Sequence, residues 1–360
     1  MTRKKTKQIK IGNLYLGGEN PLLIQSMTSL PIDDFRETIK QIKALAKEGS
    51  DLVRLAVKDL DSISFLKKII KGVQVPIIAD IHFNHKIALE SIKAGVNKIR
   101  INPGNISNRA KIKEIIKAAK DYQVPIRIGV NAGSINRKRY KILNPENLVA
   151  ATLDQVKFFE DNDFSALVLS IKSSDLQQNI LANRLLAQKT NYPLHIGLTE
   201  AGFGDFCLIA SSIFLGHLLL NGIGDTIRIS MTGDPIQEVR AARKVLEALE
   251  IRKPLLKVIS CPTCGRKDPS FNLLKLAQRI ERQVLQKFSS SLQKKQRSIK
   301  IAIMGCEVNG PGEAKEADLG VAGGQNNTFF IFSAGQKLRK VSADEVELAL
   351  LNEIEKIIKN

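Results

Sequence analysis

The chain contains no tryptophan and only four tyrosines. Proteins that hold single-stranded nucleic acid stack its bases on aromatic rings set among basic residues. No basic stretch here is interleaved with aromatics, so nucleic-acid binding as the main task has little support. Cysteine is equally scarce, four in 360 residues, which excludes a disulfide framework. In a reducing compartment a Cys-x-x-Cys pair points instead to metal or redox chemistry. Long apolar runs are missing too. The longest, "IFLGHLLL", is too short to cross a bilayer. No apolar segment follows the basic opening "MTRKKTKQIK", so no signal peptide and a cytoplasmic location are expected. Acidic residues are outnumbered, 36 against 55 Lys and Arg, for a formal net charge of +19. Such a charge attracts polyanions, phosphorylated substrates or an acidic protein partner. Most of the lysines, however, fall at helix-surface spacing, as in "KKIIKGVQ", where a solvated face accounts for them.

What is present is a recurring unit: a short apolar run, a polar or glycine end, then an amphipathic helical stretch. The runs are "LLIQSMT", "LVRLAV", "VPIIADIH", "KIRINPG", "IRIGVNAG", "ALVLSIKSS", "LHIGLTEAG" and "TIRISMTGDP". Between them lie helical patterns such as "FRETIKQIKALAKEG" and "PIQEVRAARKVLEALE". Eight strand–helix units predict an α/β fold, an N-terminal (β/α)8 TIM barrel over residues 1–250. An open doubly wound sheet is the alternative, but no Gly-x-Gly-x-x-Gly fingerprint follows the first strand.

Barrel enzymes build their sites at the C-terminal ends of the strands. Read there, the chain offers Arg54, Asp80, His82, Arg100, Asn102, Arg127, Asn131, Lys172, Thr199, Glu200, Arg228 and Ser230. A charge inside an apolar strand is costly unless it is paired. Four arginines and a lysine converging on one mouth therefore call for an anion, and arginine forks suit phosphate. A substrate with more than one phosphate fits. The competing explanation is internal pairing of these arginines with Asp51, Asp80 or Asp225. Glu200 among cations is either an acid/base group or their counter-charge. His195, at the start of a strand, reads as structural, His85 and His217 as surface or helix-packing residues, and Cys207 as a small buried apolar residue.

After residue 250 the pattern changes to a small α+β module over 251–360. Its "SCPTCGR" and "MGCEVNGPGEA" place Cys261, Cys264, Cys306 and Glu313 where strands run into loops. Three thiolates suit zinc or an iron–sulfur cluster, and spacing leaves both open. A zinc-stabilised basic protein that binds nucleic acid is thus one alternative, and a barrel enzyme with a merely structural metal is another.

These two stretches resemble the C-terminal motifs of the 4-hydroxy-3-methylbut-2-en-1-yl diphosphate synthase family. "IQSMT", "ADIHF", "KIRINPGNI", "GLTEAG" and "GIGDTIRISMTGDP" extend the resemblance to roughly residues 8–357. It implies a [4Fe–4S] cluster on Cys261, Cys264, Cys306 and Glu313, with Glu313 as the displaceable ligand. It also implies reductive ring opening and dehydration of 2-C-methyl-D-erythritol 2,4-cyclodiphosphate in the non-mevalonate isoprenoid pathway, with electrons from flavodoxin or ferredoxin. Arg54, His82, Arg100, Asn102, Arg127, Asn131, Lys172, Arg228 and Ser230 match the family's substrate-binding positions, and Asp80 and Glu200 its acidic ones. The implied assembly is a homodimer, with no membrane and no nucleic acid as partner.

Overall fold

The computed structural model describes residues 2–102, 106, 108–136, 138–264, 272–295, 297–306, 310–324 and 328–359. Gly265 and Arg266 of the first cysteine motif, and Glu307, Val308 and Asn309 of the second, lie outside them. The chain divides into two compact units, Met1–Ile251 and Arg252–Asn360.

The first unit is an eight-stranded parallel barrel. Its strands are β3 (Leu23–Met27), β4 (Leu52–Ala56), β5 (Ile77–Ile81), β6 (Lys98–Ile101), β7 (Ile126–Asn131), β8 (Leu167–Lys172), β9 (His195–Ile196) and β10 (Thr226–Ile227). They pair in the order β8-β7-β6-β5-β4-β3-β10-β9, and a parallel bridge between Leu169 and Leu194 joins the two ends. All eight correspond to apolar runs in the sequence. The last two are only two residues long, so Thr199, Glu200, Arg228 and Ser230 stand on the loops beyond their strands.

Side-chain alternation explains the barrel's two faces. On β6, Ile99 and Ile101 pack outward with the helices, while Lys98 and Arg100 alternate with them toward the lumen. The helices of this unit are α1 (Phe35–Glu48), α2 (Ser62–Gly72), α3 (His85–Lys93), α4 (Arg109–Asp121), α5 (Pro145–Glu160), α6 (Leu176–Lys189), α7 (Gly204–Leu220) and α8 (Pro235–Ala248). Of these, α1, α5, α6 and α8 start at Asp34, Asn144, Asp175 and Asp234, whose side chains accept first-turn amides. Proline at the first position of α5 and α8 strengthens two of these starts. An N-terminal hairpin, β1 (Ile9–Ile11) and β2 (Leu14–Leu16), was not foreseen in the sequence. It turns at Gly12 (φ +59°), and its Ile9, Ile11 and Leu16 cluster with Leu23, Leu52, Ile78 and Val168 to close the N-terminal end of the lumen.

The second unit is a five-stranded mixed sheet, β11 (Leu256–Ser260), β12 (Ile299–Met304), β13 (Leu319–Gly323), β14 (Thr328–Ser333) and β15 (Gln336–Ser342). Helices α9 (Leu273–Lys294) and α11 (Val346–Lys359) share one apolar core with it. The polar "SSSLQK" stretch continues α9, with Leu292 fully buried. The edge strand β15 carries little apolar signal, because five of its seven residues are exposed and three of those, Lys337, Arg339 and Lys340, are basic. Among the described residues no helix is long and apolar enough to cross a membrane.

Candidate functional site

The barrel lumen departs from the usual filling of stacked aliphatic side chains. Above the apolar plug it is polar and strongly cationic. Asp80, 2% exposed, is the hub. Arg100 Nη1 donates to its Oδ1 at 3.2 Å, Arg54 Nε lies 3.6 Å from Oδ2, and His82 Nε2 stands 3.6 Å from the same oxygen. Burial alone would raise this carboxyl. The fields of Arg54, Arg100, Arg127 and His82 outweigh it and hold Asp80 below the usual carboxylate range.

Arg228 has a different counter-charge. Its Nη2 reaches both carboxylate oxygens of Glu238 at 3.1 and 3.2 Å, and its Nε is 3.3 Å from Oε2. Glu238 also accepts the Met231 amide at 3.0 Å. The sequence reading missed Glu238, because it lies in the first turn of α8 and resembles any acidic helix start. Of the carboxylates considered as internal partners, Asp80 alone sits among the arginines at the mouth. Asp225 accepts from Thr6 and the Leu194 amide and faces Arg3 at 3.9 Å, and Asp51 accepts the Ile24 amide.

Six lumen cations, Arg54, Lys98, Arg100, Arg127, Lys172 and Arg228, thus face two carboxylates. The surplus shows in their titration. Arg54 is pushed down to about 10, mainly by burial, then by Arg228 and Arg100 against the pull of Asp80. Arg127 falls well below its ordinary value through burial, then the charges of Arg54 and Arg100, and Lys172 does so through burial, then the charges of Arg127 and Arg228. Arg127 Nε and Nη1 are buried without a hydrogen-bond partner among the described residues. Unpaired buried donors of this kind cost free energy until a ligand accepts from them.

Two glycines shape this site, and neither was singled out in the sequence. A Cβ on Gly129 would stand 3.0 Å from Arg100 Nε. A Cβ on Gly197 would overlap the carbonyl oxygen of Arg228 and stand 3.3 Å from Lys172 Nζ. At the mouth, Asn131, Lys172, Thr199 and Glu200 line one cavity of about 480 Å³. Glu200 is exposed there with a left-handed backbone (φ +56°), a strained conformation for a residue with a side chain. Asn102 is buried at the end of β6, and Ser230 is half-buried beyond β10, its carbonyl accepting the Cys207 thiol at 3.5 Å. Cys207 itself is fully buried.

In the second unit Cys261 and Cys264 follow β11 and Cys306 follows β12. Glu313 lies on a short helix, α10 (Gly310–Lys315), rather than in the loop that its Gly/Pro-rich surroundings suggest. All four border one cavity of about 430 Å³. The Gly305 amide donates to Cys261 Sγ at 3.3 Å. Among the described residues no three His, Cys, Asp or Glu converge at the spacing of a single-ion site. To that one cavity the three cysteines bring soft sulfur and Glu313 a hard oxygen. That donor set fits an iron–sulfur cluster with one exchangeable position.

Comparison with known proteins gives this arrangement a family. The model described as the GcpE TIM-barrel domain matches residues 6–243, and the GcpE protein C-terminal domain matches 257–356. Proteins named 4-hydroxy-3-methylbut-2-en-1-yl diphosphate synthase (flavodoxin) from Clostridium acetobutylicum and Caldanaerobacter subterraneus subsp. tengcongensis are each 46% identical to the chain. The alignments cover 99% of this chain and 99% and 98% of those relatives. Among solved structures, dihydropteroate synthase from Stenotrophomonas maltophilia superposes with a TM-score of 0.52 at 15% identity, over 68% of this chain and 97% of that one, a likeness of fold alone. The chain is an oxidoreductase built on a TIM barrel with a separate sheet-containing C-terminal domain. It belongs to the GcpE family, the 4-hydroxy-3-methylbut-2-en-1-yl diphosphate synthases of isoprenoid biosynthesis. The zinc-stabilised nucleic-acid-binding alternative finds no support in these relatives.

Proposed function

We propose that the chain converts 2-C-methyl-D-erythritol 2,4-cyclodiphosphate to (E)-4-hydroxy-3-methylbut-2-enyl diphosphate in the cytoplasm, with electrons from flavodoxin or ferredoxin. The observation that carries this reading is the pairing of two features in one chain: a lumen with surplus buried cations, and a cavity bordered by three thiols and one carboxylate. Cys261, Cys264, Cys306 and Glu313 would hold a [4Fe–4S] cluster, which when bound supplies single electrons and one iron open to substrate oxygen.

The reaction takes in two electrons and one proton. Breaking the ring C–O bond leaves one new negative charge on the diphosphate. Loss of hydroxide from the neighbouring carbon forms the double bond, and the proton turns that hydroxide into water. Within the barrel, Arg54, Arg100, Arg127, Lys172 and Arg228 bind the diphosphate, with His82, Asn102, Asn131 and Ser230 as further hydrogen-bonding groups. They hold the charge that develops on the leaving oxygen, and being preorganised they need not reorient as it forms. Asp80 fixes two of the arginines. Glu200, on its strained loop, is the group placed to handle the proton at the mouth.

The same reading makes the protein a homodimer. Phe206, Ile209, Ile213 and Leu220 form one face of α7 (Gly204–Leu220), 77%, 58%, 52% and 52% exposed. Phe203 continues it, and a groove of about 650 Å³ beside it is lined by Leu208, Met231, Ala241 and Val245. An apolar face of this extent suits a second copy of the chain. The deciding experiment for the function is purification without oxygen, followed by metal analysis and visible and Mössbauer spectra. Four irons per chain and turnover of the cyclodiphosphate with reduced flavodoxin are expected. A colourless protein holding one zinc after anaerobic reconstitution would sink the proposal.

A further inference from the structure

Beneath the arginines at the mouth lies a second polar layer that the proposed reaction leaves unused. Lys98 is the first residue of β6, two before Arg100, which sets it about 6–7 Å deeper along the strand. It is fully buried, and its Nζ has no hydrogen-bond partner among the described residues. His195, at the start of β9, is also fully buried. Its Nδ1 lies 2.8 Å from Thr226 Oγ1, while Nε2 is unpartnered among the described residues. Gln25 on β3 and Ser170 on β8 stand two residues beyond the plug residues Leu23 and Val168, on the same face of their strands, and so share the lumen. Both amide atoms of Gln25 and the Ser170 hydroxyl are likewise unpartnered there.

A barrel kept for stability alone would fill these positions with aliphatic side chains. An unpaired buried amine that shares one lumen with unpaired amide, hydroxyl and imidazole atoms is instead a site that something polar completes. We infer that Lys98, with His195, Gln25 and Ser170, forms a second tier of the anion site, and that this tier takes up a proton as the cyclodiphosphate enters. The inference rests on the substrate reading given above.

The electrostatics run in that direction. Burial, then the charges of Arg127 and Arg54, hold the Lys98 amine well below the ordinary lysine range. Burial, then Arg127, Lys172, Lys98 and Arg54, do the same to His195. The carboxylates facing the lumen are already engaged, Asp80 with Arg54 and Arg100, and Glu238 with Arg228. Without an anion beside it the tier is therefore disfavoured as a cation. A ligand carrying two negative charges reverses the local field, so the protonated amine becomes the favoured form. By linkage, binding and proton uptake then strengthen each other.

Isothermal titration of the anaerobic, oxidised holoenzyme with the cyclodiphosphate, in buffers of different ionisation enthalpy at one near-neutral pH, counts the protons taken up. The ligand contributes none, because each of its phosphorus atoms carries a single, strongly acidic hydroxyl. Wild type is expected to take up about one proton per chain, and Lys98→Met less than half as many, with the cluster spectrum unchanged. Methionine fills the volume without an unpaired amine, so the variant is expected to fold. A second measurement needs no variant: wild-type affinity should weaken by up to about tenfold per unit of rising pH above neutrality. Binding without proton uptake, or an equal count in Lys98→Met, would overturn the inference and leave the substrate reading intact. No binding by a brown, four-iron protein would overturn both.

Discussion

Gly129 lies against the guanidinium of Arg100, where a Cβ would stand 3.0 Å from Nε. Arg100 in turn donates to Asp80 at 3.2 Å. The missing side chain on β7 therefore sets where an arginine of β6 can lie. Gly129→Ala should fold, since the obstacle is the end of a side chain, but should displace the fork from its anion. KM for the cyclodiphosphate is expected to rise about tenfold with kcat less affected. Gly197→Ala meets the backbone carbonyl of Arg228 instead and should destabilise the barrel by about 1–3 kcal/mol or more. Equal, wild-type-like KM and melting temperature in both variants would contradict this account.

Asp80 and Glu238 give the barrel opposite responses to acid. The arginines around Asp80 hold it below its unfolded value, so its contribution is present above the ordinary carboxylate range and lost as pH falls through its folded value. Burial raises Glu238 above its unfolded value despite Arg228, so its contribution is fully present at low pH and lost as pH rises through its folded value. Asp80→Asn leaves Arg54 and Arg100 without their counter-charge and should cost the barrel roughly 3–5 kcal/mol at neutral pH. In urea unfolding followed against pH, the gap between wild type and variant should narrow below about pH 4. A gap that stays constant down to acid would contradict the assignment.

The architecture was legible where one local signal dominated. Apolar runs ending in polar residues marked all eight barrel strands, because each needs a buried outer face. The arginines stood out because cations rarely sit inside apolar strands. Glu238, Lys98, Gly129 and Gly197 were not legible for a shared reason: each acts through a neighbour on another element. Lys98 on β6 looks like a strand-opening surface lysine until β7 and β4 bring Arg127 and Arg54 to it. The N-terminal hairpin escaped because three-residue strands carry too little pattern. Glu313 was found by its motif, whereas the helix that carries it was hidden by Gly310, Pro311 and Gly312.

Glu313 borders the cysteine cavity from α10 and brings it a hard oxygen where the three cysteines bring sulfur. Glu313→Ala should still assemble a cluster on Cys261, Cys264 and Cys306. Turnover is expected to fall by roughly 100-fold or more while the visible band persists. Normal turnover would remove Glu313 from the chemistry.

The exposed face of α7 predicts the assembly state. Ile209 is 58% exposed between Phe206 and Ile213 on one stripe. Ile209→Asp would place a charge in the centre of that stripe. Sedimentation should give a wild-type mass of two chains and a variant mass of one. A monomeric wild type would leave the face without its proposed occupant.

The net charge of +19 bears on the electron donor. Flavodoxins that dock on basic surfaces do so through charges screened over about 8 Å at physiological salt. Raising salt should therefore slow turnover driven by reduced flavodoxin, chiefly through the association rate. Turnover driven by a small chemical reductant delivers electrons without docking and should hardly change. Both assays share the substrate and the cluster, so a fall in the first alone isolates the docking step. An equal fall in both would place the salt effect on the diphosphate and the lumen cations, and a flat response in both would mean that the surface lysines are merely solvated.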